Sequence, residues 1–117
     1  MKKQTREKMR LHRKARVRAK ISGTSTCPRL AVFRSLKGIS VQAIDDQTGR
    51  TLAAASLSEL GKKVKNTVAG AEEVGKLIAK KCIELKIEEA VFDRAGYRYH
   101  GRVKSLAEGA RSGGLLF

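Results

Sequence analysis

The chain has 117 residues and a mass of 12.8 kDa, the size of one domain or of a smaller domain with a tail. Twenty-six Lys and Arg stand against eleven Asp and Glu, giving a formal net charge of +15 and a pI of about 10.4, and a surface this positive seeks phosphate on nucleic acid or anionic lipid. No run of eighteen uncharged apolar residues exists to cross a membrane, and the charged N-terminus lacks the apolar stretch of a signal peptide, so a cytoplasmic chain is expected.

The charge is concentrated at the start. Residues 1–37 carry thirteen basic residues and one acid, Glu7, a net +12; the remaining 80 residues carry only +3. Lys2, Lys3, Arg6, Lys8, Arg10, Arg13, Lys14, Arg16, Arg18 and Lys20 make residues 1–21 a basic arm. Its composition suits a helix, with no Pro or Gly before Gly23, yet its like charges repel and Met9, Leu11, Val17 and Ile21 form no broad apolar stripe. The arm is therefore expected to be disordered alone and helical once a polyanion neutralises it, spanning about 30 Å at ~1.5 Å per residue.

Residues 22–28 form a small-polar linker closed by the single proline, Pro28, and residues 29–117 are expected to form one globular domain. Arg29–Ser35 alternates in part and predicts a strand with one buried face. After a turn at Lys37–Gly38, Ile39–Asp45 alternates well, with Ile39, Val41 and Ala43 on one face and Ser40, Gln42 and Ile44 on the other. Asp46–Gly49 is a turn with Gly at the position that tolerates positive φ, and Arg50–Leu57 predicts a third strand. Connections this short imply an antiparallel meander.

Ser58–Ala69 carries little pattern. Ala71–Lys86 predicts an amphipathic helix with Val74, Leu77, Ile78, Cys82 and Leu85 as its stripe, Glu72 and Glu73 near its start, and lysines near its end. Glu88–Asp93 reads as a final short strand. Arg102–Arg111 predicts a second helix burying Val103, Leu106, Ala107 and Ala110, stopped by Gly113 and Gly114. The expected fold is a two-layer α+β (α/β) domain: a small, mostly antiparallel sheet with helices packed on it, plus the basic N-terminal extension.

Between the last strand and the last helix, Phe92–Arg102 gathers both tyrosines of the chain, one of its two histidines and three arginines. Aromatic faces interleaved with guanidinium groups suit RNA, since rings stack on exposed bases and Arg forks pair with phosphate or base edges. Residue types alone leave a second use open: Tyr97 and Tyr99 as plugs of the core, with the arginines in water.

Catalysis finds little support. Asp93, Tyr97 and His100 have acid–base chemistry, but no paired carboxylates and no nucleophile beside a base accompany them. The Gly109–Gly114 run lacks the Lys-Ser/Thr of a phosphate-binding loop, and two His and two Cys lie scattered without metal spacing. No enzyme activity, cofactor, metal or small-molecule substrate is expected. Cys27 and Cys82 are expected to be free thiols in small apolar roles.

Several stretches resemble one family. The basic arm runs into RAKISGT; PRLAVFRS, VQAIDD and TLAAAS follow; and FDRAGYRYHGRV leads into a helix and a terminal GLLF. In these motifs, across nearly the whole chain and most weakly at residues 57–70, the sequence is similar to the large-subunit ribosomal protein eighteen family, the bacterial proteins that bind 5S ribosomal RNA. The resemblance implies a structural protein that binds 5S rRNA, helps attach it to the large-subunit rRNA in the central protuberance, and neighbours another 5S-binding ribosomal protein. It implies RNA contacts by the lysines and arginines of the arm, by Arg34, Ser35 and Lys37 at the first hairpin, and by Arg94, Tyr97, Tyr99, His100 and Arg102. Two departures stand out. Gly38, Ile39 and Ser40 replace the family's usual His-Ile-Tyr, so stacking at the hairpin is lost or replaced, and Ala95 stands where Gly or Ser is common. Charge alone also permits a general nucleic-acid-compacting protein, and a polybasic membrane-surface protein is disfavoured by the arm's missing apolar face.

Overall fold

A computed structural model of the chain describes residues 22–35, 38–61, 65–94, 97 and 99–117. The basic arm, Lys37, Ala95, Gly96 and Arg98 lie outside them. Four strands, β1 (Arg29–Arg34), β2 (Ile39–Asp45), β3 (Arg50–Ser56) and β4 (Val91–Asp93), form one sheet in the order β3-β2-β1-β4. Two helices, α1 (Val68–Glu84) and α2 (Gly101–Ser112), complete the two-layer α+β fold. Among the described residues no helix is long and apolar enough to cross a membrane.

The first three strands form the antiparallel meander that their short connections imply, with Val32 opposite Val41 and Val41 opposite Ala55. Ile39, Val41 and Ala43 are buried while Ser40, Gln42 and Ile44 are half-exposed, as the two-residue period demands. Gly49 takes φ +72° in the turn between β2 and β3. β4 pairs in parallel with β1, Leu30 facing Phe92 and Ala31 facing Asp93.

β1 departs from the one-sided burial expected of it: Arg29, Leu30, Ala31 and Val32 are all buried. The strand is central, flanked by β2 and β4, and buries a charge as well as apolar groups. Arg29 donates from Nη1 to Asp93 Oδ2 at 2.7 Å, and from Nη2 and Nε to the two Asp46 oxygens at 3.0 Å each. Hydrogen bonds to Asp46 and then Asp93 hold the Arg29 guanidinium above its ordinary pKa, against the opposing effect of burial. The residues before β1 are tied down beside this cluster: Gly23 N–H donates to Asp46 Oδ2 at 2.7 Å, and Val91 N–H donates to the Pro28 carbonyl.

β3 stops at Ser56, one residue short of its expected end, because Leu57–Leu60 turn into a 3₁₀ helix. Glu59 fastens that turn. Its carboxylate accepts from Ser56 N–H at 2.7 Å and from Lys81 Nζ at 2.6 Å, and Lys81 also donates to the Ala54 carbonyl. The last strand is likewise shorter than expected: Glu89 forms a bridge with Leu116 outside β4.

α1 begins three residues before the expected start. Thr67 caps it, its hydroxyl accepting from Gly70 N–H, in a stretch whose weak apolar pattern hides the boundary. Glu72 and Glu73 consequently fall outside the first turn. Val74, Ile78 and Cys82 are fully buried and Leu77 partly so, but Leu85 lies past the last turn and is 54% exposed. The stripe of α2 is as expected, with Val103, Leu106, Ala107 and Ala110 fully buried. The helices meet backbone to backbone at two glycines: a Cβ on Gly75 would lie 2.0 Å from the Leu106 carbonyl oxygen, and one on Gly109 would lie 2.2 Å from that of Glu72. Ser105 adds a hydrogen bond to the Val68 carbonyl at 2.6 Å.

Both cysteines are free, Cys82 buried and Cys27 half-buried. Desolvation raises the pKa of each thiol, helped at Cys27 by the Glu89 charge, so neither is an activated nucleophile.

Candidate nucleic-acid interface

The parallel pairing of β1 with β4 decides what meets at one end of the sheet. Because Ala31 is level with Asp93, the two strands leave the sheet side by side in the same direction. β1 ends on Arg34 and is followed by Ser35; the chain after β4 carries Arg94 and Tyr97. The Tyr97 hydroxyl donates to the Arg34 carbonyl at 3.3 Å, and the Arg34 guanidinium stands 5.4 Å from the centre of the Tyr97 ring. Ser35 is held in the tight β1–β2 turn by its N–H and hydroxyl, which both donate to the Gly38 carbonyl.

Residues 29–38 and 91–102 contain one acid between them, Asp93. That carboxylate is fully buried against Arg29. The junction thus presents arginines with no exposed carboxylate from either segment. Of the other acids, Glu59 lies near this end on the 3₁₀ turn, where it is paired with Lys81, and the rest lie farther off. Glu72 and Glu73 sit near Lys76, and Glu108 near Lys104, on the helices, while Glu84, Glu88 and Glu89 surround the exit from α1. A phosphate chain meets favourable charge at the sheet end and mixed charge on the helices.

The remaining expected contact residues divide. Tyr99 is 38% exposed; its ring meets Phe92 edge-on at 6.1 Å, and its hydroxyl accepts from Arg111 Nη1 at 3.3 Å. It packs on neighbours and still presents a face to solvent. His100 is exposed and extended at the N-cap of α2. Arg102 is half-buried and donates to Asn66 Oδ1, which ties α2 to the segment before α1. Arg94 is half-buried. The contacts expected of the arm and of Lys37 lie outside the described residues.

Sequence reasoning missed one cluster. Phe92 stacks on Phe117 at 5.6 Å, and Arg111 lies 4.6 Å from the Phe117 ring centre while its Nε donates to the Phe117 carbonyl. Arg111 reads in the sequence as one more solvated charge in the last turn of α2; only the return of the C-terminus to β4 gives it an aromatic partner. The acid–base candidates do not converge, since Asp93 is committed to Arg29 and the Tyr97 hydroxyl to the Arg34 backbone. Among the described residues no group of three His, Cys, Asp or Glu is placed to hold a metal ion.

Comparison with known proteins places these features in a lineage. A sequence profile for ribosomal L18 of archaea, bacteria, mitochondria and chloroplasts matches residues 4–117. The chain is 52% identical over 121 residues to the large ribosomal subunit protein uL18 of Thermotoga petrophila, covering 100% of this chain and 99% of that one. It is 55% identical over 112 residues to the protein of the same name from Pediococcus pentosaceus (94% and 93% covered), and 53% identical over 117 residues to that from Clostridium botulinum (99% and 98% covered).

Proposed function

The chain belongs to the ribosomal L18 family, a structural and non-enzymatic component of the large ribosomal subunit, and from that premise we propose that it binds 5S rRNA and helps attach it to the large-subunit rRNA in the central protuberance. Neighbouring 5S-binding ribosomal proteins are its proposed protein partners.

The observation that carries this reading is the junction of Arg34 and Tyr97, where two segments distant in sequence meet with their one acid withdrawn into an ion pair. The grip has two parts. The arm, residues 1–21, neutralises phosphates along an RNA groove and releases counterions, which gives affinity without selectivity. The body, residues 29–117, joined through residues 22–28, recognises RNA shape. Arg34, Ser35, Lys37 and Arg94 hold phosphate and sugar, Tyr97 sets the guanidinium of Arg34 toward the RNA from beneath, and Tyr99 and His100 offer flat faces to unpaired bases. Arg102 serves chiefly to orient this loop through Asn66.

Competition gel shifts between 5S rRNA and duplex DNA at a series of salt concentrations test the reading. With six to ten phosphates engaged, affinity falls by roughly 10³–10⁵ between ~50 and ~200 mM salt. Arg13→Gln and Arg16→Gln each flatten the salt slope by about one without changing RNA preference. A chain that holds duplex DNA as tightly as 5S rRNA is a compacting protein, and the reading fails.

A further inference from the structure

An open cavity of about 190 Å³ lies beside the β1–β2 turn. Its floor includes the buried Leu57, and its walls carry the hydroxyl-bearing residues Ser35, Ser40, Ser56 and Ser58. It owes its room to Gly38. A Cβ there would stand 3.2 Å from Leu57 Cδ2, so any larger side chain at this position would cover the floor. β1–β2 and β2–β3 pairing brings the walls together: Ser40 sits opposite Ser56, and the Ser56 and Ser58 hydroxyls lie 2.9 Å apart.

The lining selects among the parts of a nucleic acid. Among the described residues no charged side chain lines the cavity, so these walls offer a phosphate no counter-charge in exchange for its water. A sugar would leave the apolar floor unmatched. A heteroaromatic ring matches both, with its face on Leu57 and its polar edge toward the serine hydroxyls. The size agrees, since an apolar cavity of ~150 Å³ already admits benzene. Arg34 precedes Ser35 in the chain and is exposed at the same end of the sheet, where it can meet the phosphate next to an inserted base.

We propose that this cavity receives one unpaired, unstacked single-ring nucleobase of the bound RNA, an inference that rests on the RNA-binding reading above. With the Ser35 hydroxyl donating to Gly38 and the Ser56 and Ser58 hydroxyls sharing a hydrogen bond, the serines offer the base edge mainly acceptors plus the donor and acceptor of Ser40, so the cavity recognises that a base is unpaired more than which base it is.

The test fills the cavity from two sides in the full chain, with Ser40→Leu on β2 and Ser58→Leu on the 3₁₀ turn, thermal melts verifying the fold. The probe is 5S rRNA, followed by gel shift and by chemical probing of base and ribose reactivity. Each variant is expected to weaken binding about tenfold, the loss typical of one base contact. The salt slope stays unchanged, because no phosphate is lost. One unpaired nucleotide protected by the unsubstituted chain becomes reactive with both variants. Unchanged affinity in both variants, or weaker binding with no nucleotide newly exposed, overturns the cavity's role while leaving 5S binding intact. Failure of the unsubstituted chain to prefer 5S rRNA overturns the underlying reading, and this inference with it.

Discussion

Tyr97 reaches across 63 residues of sequence to hold Arg34 twice, donating its hydroxyl to the arginine's carbonyl at 3.3 Å and carrying the guanidinium over its ring. One side chain thereby locks the first hairpin to the loop between β4 and α2. The two halves of the proposed RNA surface are held as one unit.

Removing that lock separates shape from charge. Tyr97→Ala is expected to weaken 5S rRNA binding about tenfold and to leave duplex DNA binding nearly unchanged, because the arm's charges remain. Tyr97→Phe keeps the ring beneath Arg34 and loses the hydroxyl's hydrogen bonds with the Arg34 backbone, so it falls between Tyr97→Ala and the unsubstituted chain. Gel-shift titrations of both variants against both nucleic acids check the order.

The Arg29–Asp93 pair makes a stability prediction of the opposite kind to an exposed salt bridge. Arg29→Ala takes the guanidinium away from a carboxylate with no exposed surface, and is expected to cost about 3–5 kcal/mol. Arg29→Met combined with Asp93→Leu removes both charges of the buried pair and recovers part of the loss, the remainder reflecting the two hydrogen bonds from Arg29 to Asp46. Urea denaturation of the single and double variants measures the difference.

Gly75→Ala reverses the usual helix rule. In an open helix interior Ala is better than Gly by about 1 kcal/mol. Here the added Cβ would meet the Leu106 carbonyl oxygen at 2.0 Å and the Ala110 nitrogen at 2.8 Å, backbone atoms that cannot rotate away. The helices must separate, and the overpacking cost, typically ~1–3 kcal/mol or more, exceeds the propensity gain. A lowered Tm for Gly75→Ala, and likewise for Gly109→Ala, is the expected outcome.

Glu59 links stability to acid pH. The Lys81 ammonium first, and the Ser56 N–H second, hold its carboxyl below the ordinary value of 4.5. A pKa lower in the folded chain means that the ionised form stabilises the fold above the ordinary value. That contribution is lost as the pH falls through the depressed folded value. Glu59→Gln is expected to weaken the chain at neutral pH and to remove this part of its acid sensitivity. Urea midpoints of both proteins across the acid range test the sign, and their curves should converge once Glu59 is protonated.

The sequence by itself determined whatever depends on local period and charge. The two faces of β2, the Val103–Ala110 stripe of α2, the antiparallel meander and the +12 first third all follow from residues close together in the chain. Tertiary structure alone decided what depends on partners. Arg29 and Arg34 are alike as letters on one strand, yet Arg29 is sealed against Asp93, 64 residues away, while Arg34 remains exposed over Tyr97. Leu85 keeps the helical period but lies past the point where α1 ends, and Gly38 opens a cavity only because Leu57 passes beneath it. The physical reason is common to all of these. Periodicity tells which side of an element is apolar, but the parallel register of β4 on β1 selects which charges are buried together and which are left exposed.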